Sequence, residues 1–419
     1  MILHSKEPLT SRESLIAALS EAAEIEHSIT CQYLFAAFSL KVHPEEGGVD
    51  WVSLEQVRGW KAELLTLARQ EMMHHGLVCN LLLAIGGAPH FRRAGFPHPV
   101  RLGPVLSTFD LVPFSAEVLE RFIAYERPDD DREGVPDGGR TIDGMYQLIR
   151  EGLIHVERSG TRLFVGPVEH QLTNQELRIR PGQFDMELTR ASAYDSALAL
   201  IDRIREHGHL ARVKAIQREL SELTRADPTF APARPVVVNP RWQEEPKRTD
   251  GEGTALQHPL SCAAAELFDG AYEVMILMLT RLYGRADETP AEMDGLIRTA
   301  FFPLMTAVIR PLGEMLTQMP ASEGNSTGNA GPCFGIHFTL PLPPNRRTAW
   351  LLLHERQEKV ALAAALLEER LRKACEPWAA RLLPRFQLLR ENLERIANNF
   401  ARQMGLERNA LDALFKSFR

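Results

Sequence analysis

Between Trp60 and Ile85 the residues Trp60, Leu64, Leu67, Val78, Leu81 and Ile85 follow one series of alternating steps of four and three. The two places in that series where further leucines are due hold Glu71 and His74. Steps of three and four mark one face of an α-helix, and an unbroken apolar face is a buried one. A carboxylate on such a face costs several kcal/mol, roughly, unless something compensates it. A bound cation does so, and the Glu-x-x-His spacing points a carboxylate and an imidazole at a single ion.

The same anomaly recurs on neighbouring segments. Glu26 is the only charge in the stripe Leu15, Leu19, Ala22, Glu26, Ile29, Tyr33, Ala37. A third segment offers Leu148, Glu151 and His155, and a fourth carries Glu206 and His209, a second Glu-x-x-His. In chain order this reads Glu, Glu-x-x-His, Glu, Glu-x-x-His on four successive helices. That is the ligand set of ferritin-like di-iron and di-manganese bundles. The expected fold class is therefore all-α: a ferritin-like four-helix bundle followed by a second helical region. The expected metal ligands are Glu26, Glu71, His74, Glu151, Glu206 and His209, for one or two iron ions, with manganese as the alternative.

Each residue has a plainer reading. Glu26, Glu71 and His74 suffice for one ion, and a second needs Glu151 and the Glu206/His209 pair to turn inward. Glu151, in REGLIHVER, has the surroundings of a solvated side chain, and the stripe around Glu206 and His209 is the more polar one. Glu-x-x-His alone is common on exposed helix faces. His27, His75, His155 and His207 flank the candidates and are most simply hydrogen-bonded bystanders.

Periodicity and breakers predict helices over 11–40, 53–85, 141–157 and 191–224, with a short helix capped by Ser115 and ending near Glu126. Residues 86–113 read as a Gly- and Pro-rich loop, and 165–190 as irregular with one short strand. The domains are expected at 10–225 for the metal-binding bundle, 226–260 for a proline-rich linker, and 261–419 for a C-terminal helical domain. Helices are expected there over 261–283, 290–318, 348–375 and 376–404, with a strand at 334–340 and a break or kink at Pro377 and Pro384. The face Leu267, Ala271, Met275, Met278, Leu282 carries no ligand-like charge, so this half is assigned support or substrate enclosure.

Composition narrows the partners. The 419 residues carry a net charge of -7, which offers nucleic acid no basic footprint. Five scattered cysteines with no CxxC pair point to reduced thiols and a cytoplasmic protein rather than a disulfide framework. The N-terminus has no apolar signal segment, and the apolar stretches near 77–85 and 274–279 are too short for a bilayer. The expected partner is a small-molecule substrate, with no nucleic acid and no membrane; homo-oligomerisation is left open.

Several segments resemble one family: LIAALSEAAEIEHSITCQYLFAAFSLK, LARQEMMHHGLVCNLLLAIGGAPHF, DLVPFSAEVLERFIAYERP and RTIDGMYQLIREGL. They are similar to the ferritin-like family that includes the iminophenyl-pyruvate dimer synthases of violacein- and rebeccamycin-type pathways. The resemblance covers about residues 10–160 and extends more weakly through AELFDGAYEVM and the AGPCF segment. It implies an enzyme of specialised metabolism with Glu26, Glu71 and His74 as ligands. Two positions depart from the family pattern: Gly144 stands where a Glu is expected, and HGHL (207–210) where QGEG is expected.

The leading expectation is a non-haem di-iron oxidoreductase acting on a small amino-acid-derived or aromatic substrate. A non-oxidative imine-coupling enzyme is the first alternative. A scaffold protein with a relict metal site is the second.

Overall fold

The computed structural model describes residues 8–405 apart from 103–104, 131–140, 181, 183–185, 207, 244–252, 286, 325–327 and 338–341. The described residues divide into two compact units, the first comprising those through 239 with Gly253 and the second 240–243 and 254–405.

The first unit is a helical bundle. Helix α1 (Arg12–Ser39) and helix α2 (Trp51–Ala84) pack along each other as a hairpin, the end of α2 lying beside the start of α1. Each begins at a side-chain cap: Ser11 accepts from Ser14 N and Asp50 from Ser53 N, contacts worth about 1 kcal/mol apiece. Helix α3 (Ala116–Tyr125) and helix α4 (Ile142–Arg158) start on the hydroxyls of Ser115 and Thr141. Helix α4 packs on α1.

The expected fourth helix is two helices, α5 (Tyr194–Arg205) and α6 (His209–Ala226), with a break between them at Gly208. Glycine in a helix interior costs about 1 kcal/mol, and here the chain uses it to turn. On the near side of the break Arg205 is anchored to α4 through Asp143 at 2.6 Å and Gln147 at 2.6 Å. Helix α6 packs against α3 and α2, so α3 joins the bundle rather than merely bridging two of its helices.

Two loop expectations change. Residues 86–113 contain an antiparallel hairpin, β1 (His98–Leu102) and β2 (Val105–Phe109), with His98 paired to Phe109. Residues 165–190 hold a single 3-10 turn, Val168–His170, and no strand among the described residues. That irregular stretch is fastened by buried Asn80, which donates to Leu172 O and Thr189 O and accepts from Leu172 N.

Residues 226–239 are laced onto the bundle rather than free. Lys41 donates to Ala231 O, buried Arg234 pairs with Glu46, and Asn239 exchanges hydrogen bonds with Asp110 and Leu111. The boundary between the units falls at Asn239, within the stretch 226–260.

The second unit holds α7 (Pro259–Tyr283), α8 (Pro290–Leu316), α9 (Arg346–Lys373) and α10 (Pro377–Gln403). Helix α8 contains two π-turns, 297–301 and 305–309, either side of Pro303 and before Pro311. Prolines lack the N–H that a regular i to i-4 ladder requires there. By length and composition α8 is apolar enough to cross a bilayer. Its residues Leu296, Leu304, Val308, Leu312 and Met315, however, are buried in this unit, where α8 packs on α7 and α10. Pro377 occupies the first turn of α10, and the helix continues through Pro384, whose missing bond falls on the solvent side beside exposed Ala380.

Helix α7 is buried nearly all round, and among its buried residues are Asp269 and Glu273, which the apolar face left out of account. Asp269 accepts from Trp242 Nε1 at 2.7 Å and Gly335 N at 2.9 Å and meets His337 Nε2 at 3.1 Å; Glu273 accepts from His337 N at 2.6 Å. The segment 334–337 is thus an anchored loop and not a strand; the rest of the expected strand, 338–340, lies outside the described residues.

Candidate metal centre

The first unit brings five side chains into one buried cluster. Helix α1 supplies Glu26 and α2 supplies Glu71 and His74 one turn apart. The residue that caps the C-terminus of α3 is Glu126, and the residue that begins α6 is His209. Glu26, Glu71, His74 and His209 are at most 4% exposed, and Glu126 is half-buried.

Glu71 lies at the middle. Its Oε2 is 2.9 Å from His74 Nδ1 and its Oε1 is 2.9 Å from His209 Nδ1. Glu26 Oε2 approaches His74 Nδ1 at 3.5 Å, and Glu126 Oε2 approaches His209 Nδ1 at 3.3 Å. The two imidazoles stack with centroids 5.5 Å apart and planes 24° apart. Outside the carboxylates stand two phenols: Tyr146 donates to Glu26 Oε1, and Tyr33 to Glu126 Oε1 at 2.8 Å.

The charges are strongly coupled. Burial, reinforced by the neighbouring Glu71 carboxylate, pushes Glu26 up to about 8. Burial works the same way on Glu71, but His74 and His209 overcome it and hold that carboxyl well below its ordinary range. Burial would lower both histidines. Glu71 and Glu26 instead lift His74 to about 10, and Glu71 and Glu126 lift His209 to about 9. The cluster therefore balances its carboxylates with imidazolium charge, the electrostatic need that bound cations would also meet.

The donor set fits two ions. Glu26, Glu71 and His74 offer ligand atoms all within 4.8 Å of one another, and so do Glu71, Glu126 and His209, with Glu71 common to both. Glu26 Oε2 is buried with only a long approach to His74 Nδ1, at 3.5 Å, and no hydrogen bond of ordinary geometry. Carboxylates with imidazoles suit iron, manganese or zinc. A cavity of about 920 Å³ reaches the cluster; Ile29, Ile142, Ile204 and Leu210 give it apolar walls, and Arg127, Asp129, Asp143, Arg205 and Glu206 are among its charged lining.

Of the residues singled out in the sequence, Glu26, Glu71, His74 and His209 meet in this cluster. Two do not. Glu151 is exposed on α4 and accepts from Gln147 Nε2 at 2.8 Å; the buried face of that helix is Met145, Tyr146, Ile149, Leu153 and Val156. Glu206 is exposed at the end of α5. A Glu-x-x-His pair converges only on a continuous helix, and this one is interrupted between its two members. A Cβ at Gly144 would come within 2.4 Å of Asp129 Oδ1, so the expected Glu would require that carboxylate to move.

The carboxylate that reasoning from sequence missed is Glu126. Its signal is faint but present, because it continues the buried Leu119–Phe122 stripe by a step of four. Among the flanking histidines, His27 and His75 are buried and shifted downward by burial, and His155 is exposed; His207 lies outside the described residues.

Residues 19–221 match the ferritin-like family. A 2-imino-3-(indol-3-yl)propanoate dimerase from Chromobacterium violaceum is 28% identical over 407 residues, taking in 86% of this chain and 37% of that protein. A dichlorochromopyrrolate synthase from Lentzea aerocolonigenes is 28% identical over 395 residues, taking in 78% of this chain and 36% of that protein. The chain thus spans little more than a third of the length of these curated relatives. The crystal structure of a ferritin-like protein from Caulobacter vibrioides overlaps 78% of this chain and 99% of its own at 16% identity, with a TM-score of 0.46, too loose a likeness to bear weight. The match to the ferritin-like family over residues 19–221 encloses all five cluster residues.

Proposed function

We propose that this chain is a metal-dependent enzyme of specialised metabolism. Its two triads, Glu26–Glu71–His74 and Glu71–Glu126–His209, hold a pair of ions, iron with manganese as the alternative, and its substrate is a small amino-acid-derived imine. The observation that carries this reading is the placement of Glu71, whose two oxygens face different histidines at 2.9 Å each. A carboxylate so placed joins two positions into one centre.

Such an ion pair would supply Lewis acidity and redox capacity at the cavity. The chain's own residues do the rest. Ile29, Ile142, Ile204 and Leu210 give an aromatic substrate an apolar wall, and the buried carboxylates keep the reacting end charged and short of water. The imine substrate class is taken from the name of the Chromobacterium relative and extended here to this chain.

Oxidoreductase chemistry is the first reading. The second is coupling of two imines by orientation alone, and the size of the cavity favours it. About 920 Å³ is near the top of the range, roughly 300–1,000 Å³, of ordinary ligand sites, and leaves room for more than one small aromatic molecule. Cytoplasmic residence belongs to the same proposal, supported by five cysteines that form no disulfide.

The test is metal content after anaerobic loading with iron(II) or manganese(II). Two ions per chain are expected, with near-complete loss in Glu71→Ala; a parent protein that retains none ends the proposal. An oxygen electrode then separates the two chemistries when a 2-imino acid is generated in place. Uptake in step with product supports oxidation, and product without uptake supports coupling.

A further inference from the structure

Both outer carboxylates of the centre are divided in the same way. Glu26 gives Oε1 to the Tyr146 hydroxyl and turns Oε2 toward His74; Glu126 gives Oε1 to the Tyr33 hydroxyl and turns Oε2 toward His209. The tyrosines come from different helices, α4 and α1, and act on glutamates from α1 and from the end of α3. No local sequence rule produces that parallel. A buried tyrosine needs only some acceptor, and a backbone carbonyl would serve.

We propose that Tyr146 and Tyr33 are a matched pair of positioning residues that hold Glu26 and Glu126 to one metal-facing oxygen each; this rests on the two-ion reading above. A carboxylate with both oxygens available can chelate one ion through both or swing between neighbouring ions. With one oxygen tied to a phenol it offers a single bond and leaves a coordination position for water or substrate. The rings are fixed enough to enforce this. Tyr146 is 1% exposed, and Tyr33 is fully buried with Phe122 against it at a centroid distance of 4.3 Å. Tyr125 provides the contrast: it lines the same cavity, yet its hydroxyl goes to Gln32 Oε1 at 3.2 Å and not to a cluster carboxylate.

The experiment uses the full chain, stripped of metal and titrated with cobalt(II), followed by its visible d–d bands and by calorimetry. Tyr146→Phe and Tyr33→Phe should each still take up two cobalt ions. Each should weaken one of the two by about 10–100-fold, the usual effect of removing a partner that orients a ligand. Each should also weaken the d–d absorption, as a released carboxylate closes on its ion and raises the coordination number. Tyr125→Phe should leave the bands as in the parent. The two substitutions address different ions, so either decides the matter if the other fails to fold. Parent-like spectra and affinities in both variants would overturn the assignment, as would an equal change in Tyr125→Phe, which would mark a packing effect. A parent chain that binds no cobalt would instead remove the two-ion reading itself.

Discussion

A single carboxylate decides how many ions the proposed centre would take. Without Glu126 the cluster offers one complete triad and a lone histidine; with it, Glu71 completes a second. Replacing either Glu126 or His209 by alanine should leave one ion per chain, whereas Glu151→Ala and Glu206→Ala should keep two, because both side chains are exposed. Metal analysis of the four variants checks this, and a loss of metal in Glu151→Ala would contradict it. The pH dependence follows from the same residues. His74 near 10, His209 near 9 and Glu26 near 8 hold protons at neutral pH that must leave before these groups can ligate. Affinity should therefore rise with pH, and binding at pH 7 should release about two or more protons, fading as pH passes those values. Calorimetry in buffers of different protonation enthalpy reads the release. The metal-free protein has the opposite slope. Its two histidines have folded-state values raised above the ordinary one, so their contribution is complete below about 6.5 and is lost as pH climbs through 9 and 10.

Helices differ in how openly they declare themselves. Helix α2 was legible because its face is long and apolar enough for two polar intruders to stand out, and Glu26 on α1 stood out for the same reason. Helix α3 has only 10 residues, too few for a terminal glutamate to register as an interruption rather than as an ordinary polar end. The interruption between α5 and α6 was hidden because 191–224 keeps helical periodicity on both sides of Gly208, and only tertiary anchors such as Arg205 to Asp143 reveal it. The β1–β2 hairpin was masked by Pro97, Pro99 and the Gly103-Pro104 pair, which read as loop punctuation. Because α3 presents Glu126 as its C-terminal cap, its start matters to the centre. Ser115→Ala removes the hydroxyl that accepts from Val118 N and should cost about 1 kcal/mol. The expected readout is a lowered melting temperature together with weaker binding of one ion and unchanged binding of the other. Equal weakening of both would mean that α3 does not serve the second triad selectively.

Across the whole molecule the two units carry different kinds of buried charge. In the first, three carboxylates and two histidines converge on one another, and Glu26 Oε2 has only a long approach to His74 Nδ1 at 3.5 Å. In the second, the buried carboxylates of α7 are engaged by the protein itself: Asp269 by Trp242, Gly335 and His337, and Glu273 by the backbone of His337. The first pattern leaves ligand capacity over, and the second uses its carboxylates to fasten a loop. Phe334, within that loop, sits at φ 51, a left-handed conformation costly for a side chain of its size and sustained by contacts with Phe268 and Tyr272. A Cβ at Gly335 would come within 2.5 Å of Asp269 Oδ2, so the loop closes on that carboxylate without slack. Asp269→Ala would strand the Trp242 and Gly335 donors, each lost partner costing about 1–3 kcal/mol. It should therefore lower thermal stability by several degrees. Every ligand of the proposed centre lies in the first unit, so the same variant should still bind two ions with parent affinity. Calorimetric melting and metal titration of one preparation decide between the roles: unchanged melting would refute the fastening role of Asp269, and lost metal would refute its separation from the centre.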